Sequence, residues 1–196
     1  RYGLNKIHRN TNRVERIIDS HDKNEIPKIE IYAILCDSKN NLWIGTNGSG
    51  ILKICDGETE IERVELNSKS VPDRIRSIYE DSNGNIWVGT RNNGVFKINS
   101  SNTEIINYKH NSDNKFSISG NHIRSIHEDG DKNIWIGTEN NGVNILKNHA
   151  FEFTNGNNNA TLKKIGKEKV RCLLSNKNDE LWIGTKNGLY IYQTLT

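Results

Sequence analysis

The tetrapeptide Trp-[Ile/Val]-Gly-Thr occurs four times, headed by Trp43, Trp87, Trp135 and Trp182, at spacings of 44, 48 and 47 residues. Self-similarity at a period of 40–50 residues constrains a chain more than any local propensity, because each unit must solve the same burial problem in the same way. The copies extend well beyond the tetrapeptide. Segments 31–54, 75–98, 123–146 and 170–192 align almost without gaps, the last being one residue shorter in its second turn. Residues 3–17 match the second half of a unit, such as 94–108. Units therefore fall near 31–74, 75–122, 123–169 and 170–196, and 1–30 reads as the second half of a preceding one. The chain is expected to start and stop in mid-unit. With Arg1 in place of an initiator Met, it is expected to be cut or trimmed from a longer protein.

Each unit reads as four short strands. The first alternates apolar and polar residues, as in Ile-Arg-Ser-Ile-Tyr-Glu at 75–80. A polar turn follows, then Asn-Ile-Trp-Val-Gly-Thr, an Asn-Asn-Gly turn, Gly-Val-Phe-Lys-Ile, a variable loop and a fourth strand near 104–108. β-Branched and aromatic residues fill the strands, whereas Asn, Asp, Ser and Gly fill the turns. The hydrophobic fraction is only 33%, below the usual ~45–50% of globular chains. That poverty alone would suggest disorder, but the aromatic residues recur at fixed places and the 30 Asn gather in turns. No segment shows a 3.6-residue period, and the Asn-rich stretch 155–159 reads as an exposed insertion. No apolar run approaches the ~18 residues of a membrane span, and no block of five basic residues marks a nucleic-acid surface.

Four strands per 40–50 residues is the pattern of a β-propeller. A single twisted blade is apolar on both faces, so it must pack between neighbours around an axis. The four Trp are placed between adjacent blades. The residues after them, Ile44, Val88, Ile136 and Ile183, then turn the opposite way. Gly45, Gly89, Gly137 and Gly184 leave room for a large neighbour against the sheet, and the Thr that follows each can bond to turn amides. These Trp and Gly residues are the expected structural positions.

The string Ile-x-x-Ile-x-Glu-Asp-x-x-Gly-Asn-[Ile/Leu]-Trp-[Ile/Val]-Gly-Thr-x-x-x-Gly resembles the two-component regulator propeller repeat, over nearly the whole chain except the loops between units. That family builds extracytoplasmic sensor regions of bacterial hybrid histidine kinases and related signalling proteins. The resemblance implies seven-bladed propellers, often two in series, followed by modules that this chain does not show. About four units fit three arrangements: a closed four-bladed ring, a sector of a larger ring, or half-rings that associate. The all-β reading adopted is a partial ring of about four blades belonging to a seven-bladed propeller. Its open faces are expected to meet the remaining blades or a second copy.

The titratable residues form no catalytic constellation. His8, His21, His110, His122, His127 and His149 share no metal-ligand spacing, and neither a metal nor a cofactor is expected. Glu80–Asp81 and Glu128–Asp129 recur just before a turn and read as turn-capping residues rather than an acid/base pair. Asp81, Asn83 and Asn85 imitate the start of a calcium loop, but Ile86 stands where that loop needs Gly. Cys36, Cys55 and Cys172 leave at least one free thiol, and Cys172 reads as a small packed residue. Arg76, Arg124 and Arg171 occupy one column of the first strand, with Tyr32 in the first unit. In a propeller that strand lies nearest the axis. The turn between the second and third strands shares its rim and holds Asn47, Arg91, Asn92, Glu139, Asn140 and Lys186. Amides and guanidinium forks there suit a polyhydroxylated or anionic ligand. Repeated Arg can equally pair with nearby Glu, and Asn-Gly turns exist to make hairpins.

Three functions follow. The resemblance implies a non-catalytic sensor propeller, periplasmic or extracellular in a membrane-anchored bacterial protein, which binds a small molecule or oligosaccharide. The second is a structural or interaction propeller that mediates dimerisation. The third, a polysaccharide-processing enzyme, lacks an acid/base cluster. No contact with nucleic acid, and none of this segment with a membrane, is expected.

Overall fold

The computed structural model describes residues 3–19, 30–66, 74–101, 103–148, 150–176 and 180–193; His21 and His149 lie outside them. Among the described residues, antiparallel meander sheets follow one another along the chain. The first holds β1 (Gly3–Ile7) and β2 (Val14–Asp19). The next holds β3 (Ile31–Cys36), β4 (Leu42–Thr46), β5 (Ile51–Ile54) and β6 (Glu62–Val64). Then come β7 (Ile75–Glu80), β8 (Ile86–Thr90), β9 (Val95–Ile98) and β10 (Ile105–Tyr108). The third full sheet holds β11 (Ile123–Glu128), β12 (Ile134–Thr138), β13 (Val143–Leu146) and β14 (Phe153–Asn155). A one-turn helix, α1 (Ala160–Lys163), precedes β15 (Val170–Ser175), β16 (Glu180–Thr185) and β17 (Leu189–Gln193). The first strands of successive sheets touch, β3 with β7, β7 with β11 and β11 with β15, so they line the inner side of an arc of propeller blades.

A buried carboxylate builds the first hairpin of each of the three four-stranded sheets. One oxygen of Asp81 accepts the backbone N–H groups of Asn83 and Asn85 at 3.0 and 2.9 Å. The other accepts the indole N–H of Trp87 at 2.8 Å. Asp37 does the same for Lys39, Asn41 and Trp43, and Asp129 for Asp131, Asn133 and Trp135. The calcium-like spacing is thus an Asx turn whose carboxylate is already filled by its own donors. The fourth turn residue is left-handed at Asn40, Gly84 and Lys132 (φ 61°, 75° and 64°), which only the glycine adopts without steric cost.

The same Asp aims its Trp at the following blade. Trp43 packs on Ile75, Ile86 and Val88, Trp87 on Ile123, Ile134 and Ile136, and Trp135 on Val170, Leu181 and Ile183. Each Trp and the next blade's Val88, Ile136 or Ile183 therefore meet across one interface, as the period of two requires. The glycines serve that contact. A Cβ on Gly45 or Gly89 would stand 2.7 Å from Cγ2 of Ile75 or Ile123, the first residue of the neighbouring inner strand.

Trp182 departs from this pattern. It is 36% exposed where the other three are 1% exposed, because no described sheet follows its blade. Leu174, Leu189 and Ile191 are exposed on the same sheet. Cys172 is also exposed rather than packed, for the same reason, and all three thiols are free. At the other end, Leu4 and Ile17 of the β1–β2 hairpin pack on Ile44, Leu52 and Ile54, while Ile34 on β3 stays exposed.

The stretch 155–159 is not an exposed insertion. Asn155 is buried at the end of β14, and its side chain donates to the carbonyl of Ser117 at 2.8 Å. Asn159 caps α1 by accepting the N–H groups of Thr161 and Leu162. The Asn residues are there to satisfy backbone groups, which composition alone does not reveal. The acidic pairs also divide their labour. Asp81 and Asp129 hold their own turns, whereas Glu80 and Glu128 reach the preceding blade. Glu80 accepts the N–H and hydroxyl of Ser38 at 2.7 and 2.6 Å, and Glu128 those of Ser82 at 2.7 and 2.9 Å. At the next junction Gly130 stands in the serine column and Ser175 in the glutamate column, so neither partner remains. His127 takes over: its Nε2 accepts the N–H of Ser175 at 3.0 Å and lies 2.8 Å from its hydroxyl.

Candidate functional site

The inner strands carry a feature with no sequence signature. In each of β3, β7, β11 and β15, pairing with the second strand slips after the first residue, between Ile31 and Ala33, Ile75 and Ser77, Ile123 and Ser125, and Val170 and Cys172. The extra residue in each bulge is Tyr32, Arg76, Arg124 or Arg171. A bulge frees its extra residue from the ladder and re-aims the side chain. Here it brings the whole column together. Tyr32, Arg76, Arg124 and Arg171, with Lys169, line one cavity of about 320 Å³ on the inner side of the arc.

The rim is tied to this column by backbone bonds. The N–H groups of Asn47, Arg91, Glu139 and Lys186 donate to the carbonyls of Glu30, Arg74, His122 and Lys169, at 2.8, 3.0, 2.9 and 3.0 Å respectively. Each bonded carbonyl lies two residues before the bulged position, so both loops do meet at one edge. The threonine before each rim turn locks it. Thr46, Thr90 and Thr138 donate to the carbonyls of Gly50, Gly94 and Gly142 and accept the N–H of Ser49, Asn93 and Asn141.

Of the residues singled out from the sequence, Arg76, Arg124 and Arg171 face the cavity. Glu139 reaches the same cluster, bonding to the Arg124 Nε and the Lys169 Nζ. Asn47 binds Glu30 through its side chain, which occupies it within the rim. Asn92, Asn140 and Lys186 are exposed on the turns, and Arg91 is half-buried. Sequence reasoning passed over Lys169 and His122, although both stand in the column just before the inner strand.

The electrostatics are lopsided. The bonds from Arg124 hold the Glu139 carboxyl at about 2, with Lys169 adding to the effect against the opposing pull of burial. Arg124 is reciprocally raised. His122 is lowered, first by burial and then by Arg124, Arg76 and Arg91, with Glu139 opposing. Arg76 lies over the Tyr32 ring with its guanidinium carbon 4.3 Å from the centroid. Its Nε, like the Nε2 of His122, is buried with no hydrogen-bond partner among the described residues.

Three segments, 25–48, 70–92 and 117–140, match the family described as two component regulator propeller. Those three segments are similar to two-component regulator propeller repeats. Among solved structures, the extracellular domain of a hybrid two component system from B. thetaiotaomicron is 20% identical. The match covers 97% of this chain and 24% of that one, with a TM-score of 0.75. A second such domain from B. thetaiotaomicron is 25% identical over 91% of this chain and 23% of that one, with a TM-score of 0.71. Virginiamycin B lyase from Staphylococcus aureus shares the fold at 18% identity, covering 96% of this chain and 61% of its own, with a TM-score of 0.64. No curated protein sequence matches. The chain spans about a quarter of the length of the two-component domains it resembles. The rim residues Asn47, Arg91, Glu139 and Lys186 differ from blade to blade, whereas the bulged column is Arg in three of the four. Among the described residues, no helix is long and apolar enough to cross a membrane.

Proposed function

We propose that this propeller segment is a non-catalytic, ligand-binding part of the extracytoplasmic sensor region of a bacterial two-component signalling protein. Its ligand, a small molecule or short oligosaccharide, sits in the cavity formed by the bulged column. The observation that carries this reading is the convergence of Tyr32, Arg76, Arg124 and Arg171 from four successive blades on one concave site. A volume of about 320 Å³ is at the small end of ligand pockets, which run from ~300 to 1,000 Å³. Binding across several blades would couple occupancy to blade-to-blade geometry, which is the property that a sensor uses. The rim residues differ between units, whereas the structural Trp and Gly do not. Calorimetry of the 196-residue chain against a panel of neutral and acidic oligosaccharides tests the reading. Saturable heats lost in Arg124→Ala support it, and flat heats for the whole panel sink it.

A second reading, an interaction propeller, draws on the open sheet of β15–β17, where Trp182, Leu174, Leu189 and Ile191 are exposed. Such a face takes another blade or a second copy. Light scattering separates the two readings: a tight dimer with no sugar binding favours the second.

A further inference from the structure

We propose that the cavity of the bulged column is an oxyanion site, which binds a carboxylate or sulfate carried by a sugar-sized ligand. The inference rests on the ligand-binding reading above and narrows its chemistry.

The charge balance is the first support. Arg76, Arg124, Lys169 and Arg171 bring four cations to the cavity wall, against two neighbouring carboxylates: Glu139, shared by Arg124 and Lys169, and Glu30, held by Tyr32 and Asn47. If these arginines were there only to brace the blades, each would be expected to face its own acid, as Ser38 and Ser82 each face a glutamate across a junction. Arg76 and Arg171 have no such carboxylate in the cavity wall.

The second support is an unused donor. The Nε of Arg76 is buried and unpartnered, and a buried donor left without an acceptor is costly. The guanidinium carbon lies over the Tyr32 ring, a contact that restrains the fork before a ligand arrives. A planar fork of this kind matches a carboxylate or sulfate in two parallel bonds. The unpartnered Nε2 of His122 adds a second donor beside the same cluster when the ring is neutral in that tautomer.

The third support is that the backbone itself is arranged for this column. A bulge recurs at the same residue in all four inner strands, although Tyr32 replaces Arg in the first. A bulge interrupts the ladder at each position; what it delivers in return is four side chains aimed at one concavity. Tyr32, partly exposed beside the fork, supplies a flat apolar face for a sugar ring.

The test compares three probes with one ring and different charge: methyl glucoside, methyl glucuronide and glucose 6-sulfate. Each is titrated into the 196-residue chain while the His122 ring proton is followed by NMR. The charged probes are expected to bind at least about tenfold more tightly than the glucoside, the difference that one charge-assisted fork confers. The preference is expected to fall as salt screens it. Arg76→Gln and the exposed Arg171→Gln are each expected to lose most of that preference; Arg171→Gln is the variant least coupled to folding. If all three probes bind equally, the oxyanion inference is overturned while the ligand-binding reading stands. A charged probe whose binding is untouched by both substitutions lies elsewhere and also overturns it. If neither these probes nor any oligosaccharide of the wider panel binds, the ligand-binding reading itself fails.

Discussion

Replacing Trp135 and Trp182 by alanine, one at a time, should have unequal effects even though the two residues occupy the same place in the repeat. An indole offers about 200 Å² of surface. Trp135 is 1% exposed and Trp182 36% exposed, so roughly 70 Å² separates them, worth about 2 kcal/mol at ~25 cal/mol per Å². Trp135 also stacks edge-on against Tyr192 of the next blade, with centroids 5.0 Å apart. Its indole N–H satisfies the buried Asp129 at 2.7 Å. Its removal leaves a cavity between sheets, and Trp→Ala in such a place costs about 3–5 kcal/mol. Trp182 faces no described sheet, and its N–H reaches only the half-buried Glu180, at 3.3 Å. About 1–2 kcal/mol is expected there. In urea, with a slope near ~2 kcal/mol per M, the two variants should melt about 1 M apart by far-UV circular dichroism. Equal midpoints would refute the claim that each Trp works by packing on the blade that follows it.

Three further outcomes follow from the same geometry. Gly89→Ala places a Cβ 2.7 Å from Cγ2 of Ile123 and is expected to cost about 1–3 kcal/mol; Gly184→Ala, whose close neighbour is the exposed Cys172 thiol of its own sheet, should cost less, and the reverse order in thermal melts would discredit the blade-contact account. Burial holds His127 below its usual value against the opposing pull of Asp129 and Glu128, and its neutral ring accepts the Ser175 N–H. The unfolded chain then binds that proton more readily, so the His127 contribution is present in full above pH ~6.5 and is lost as pH falls from there through the lower folded-state value. His127→Gln should flatten the fall in melting temperature between pH 7.5 and 5.5, and an unchanged slope would remove His127 from the junction. Glu139, held at about 2 chiefly by Arg124, contributes stability above its ordinary 4.5 that is lost as pH drops toward about 2. Arg124→Gln should move its carboxyl upward in an NMR titration, and a carboxyl that stays put would show that the pair does not form.

Much of this architecture was legible because it is written locally. Alternation fixed which residues share a face, so the pairing of Trp87 with Val88 as opposite-facing neighbours could be read at once. The Asn-Gly and Asp-Ser-Asn-Gly strings announced their turns. The arginine column was visible as a column. Its convergence on a cavity was not, since the bulge depends on how β7 pairs with β8, and the string Ile-Arg-Ser-Ile does not encode a slip. Lys169 and His122 carry no strand signal, because each is the residue just before an inner strand. The Asn-rich stretch misled because composition describes exposure only on average, whereas Asn155 is buried by the carbonyl it satisfies.

What the sequence settled alone is the repeating blade: strand lengths, turn positions, and which large residues must leave water. A period of two and the turn propensities are properties of a few consecutive residues, so they need no partner. The tertiary structure decided everything that depends on a neighbour. It made three identical Trp buried and the fourth exposed, sent Glu80 and Glu128 across to the preceding blade, and left Arg76 with an unanswered donor. Those outcomes come from how one sheet meets the next, and that contact joins residues more than 40 positions apart in the chain.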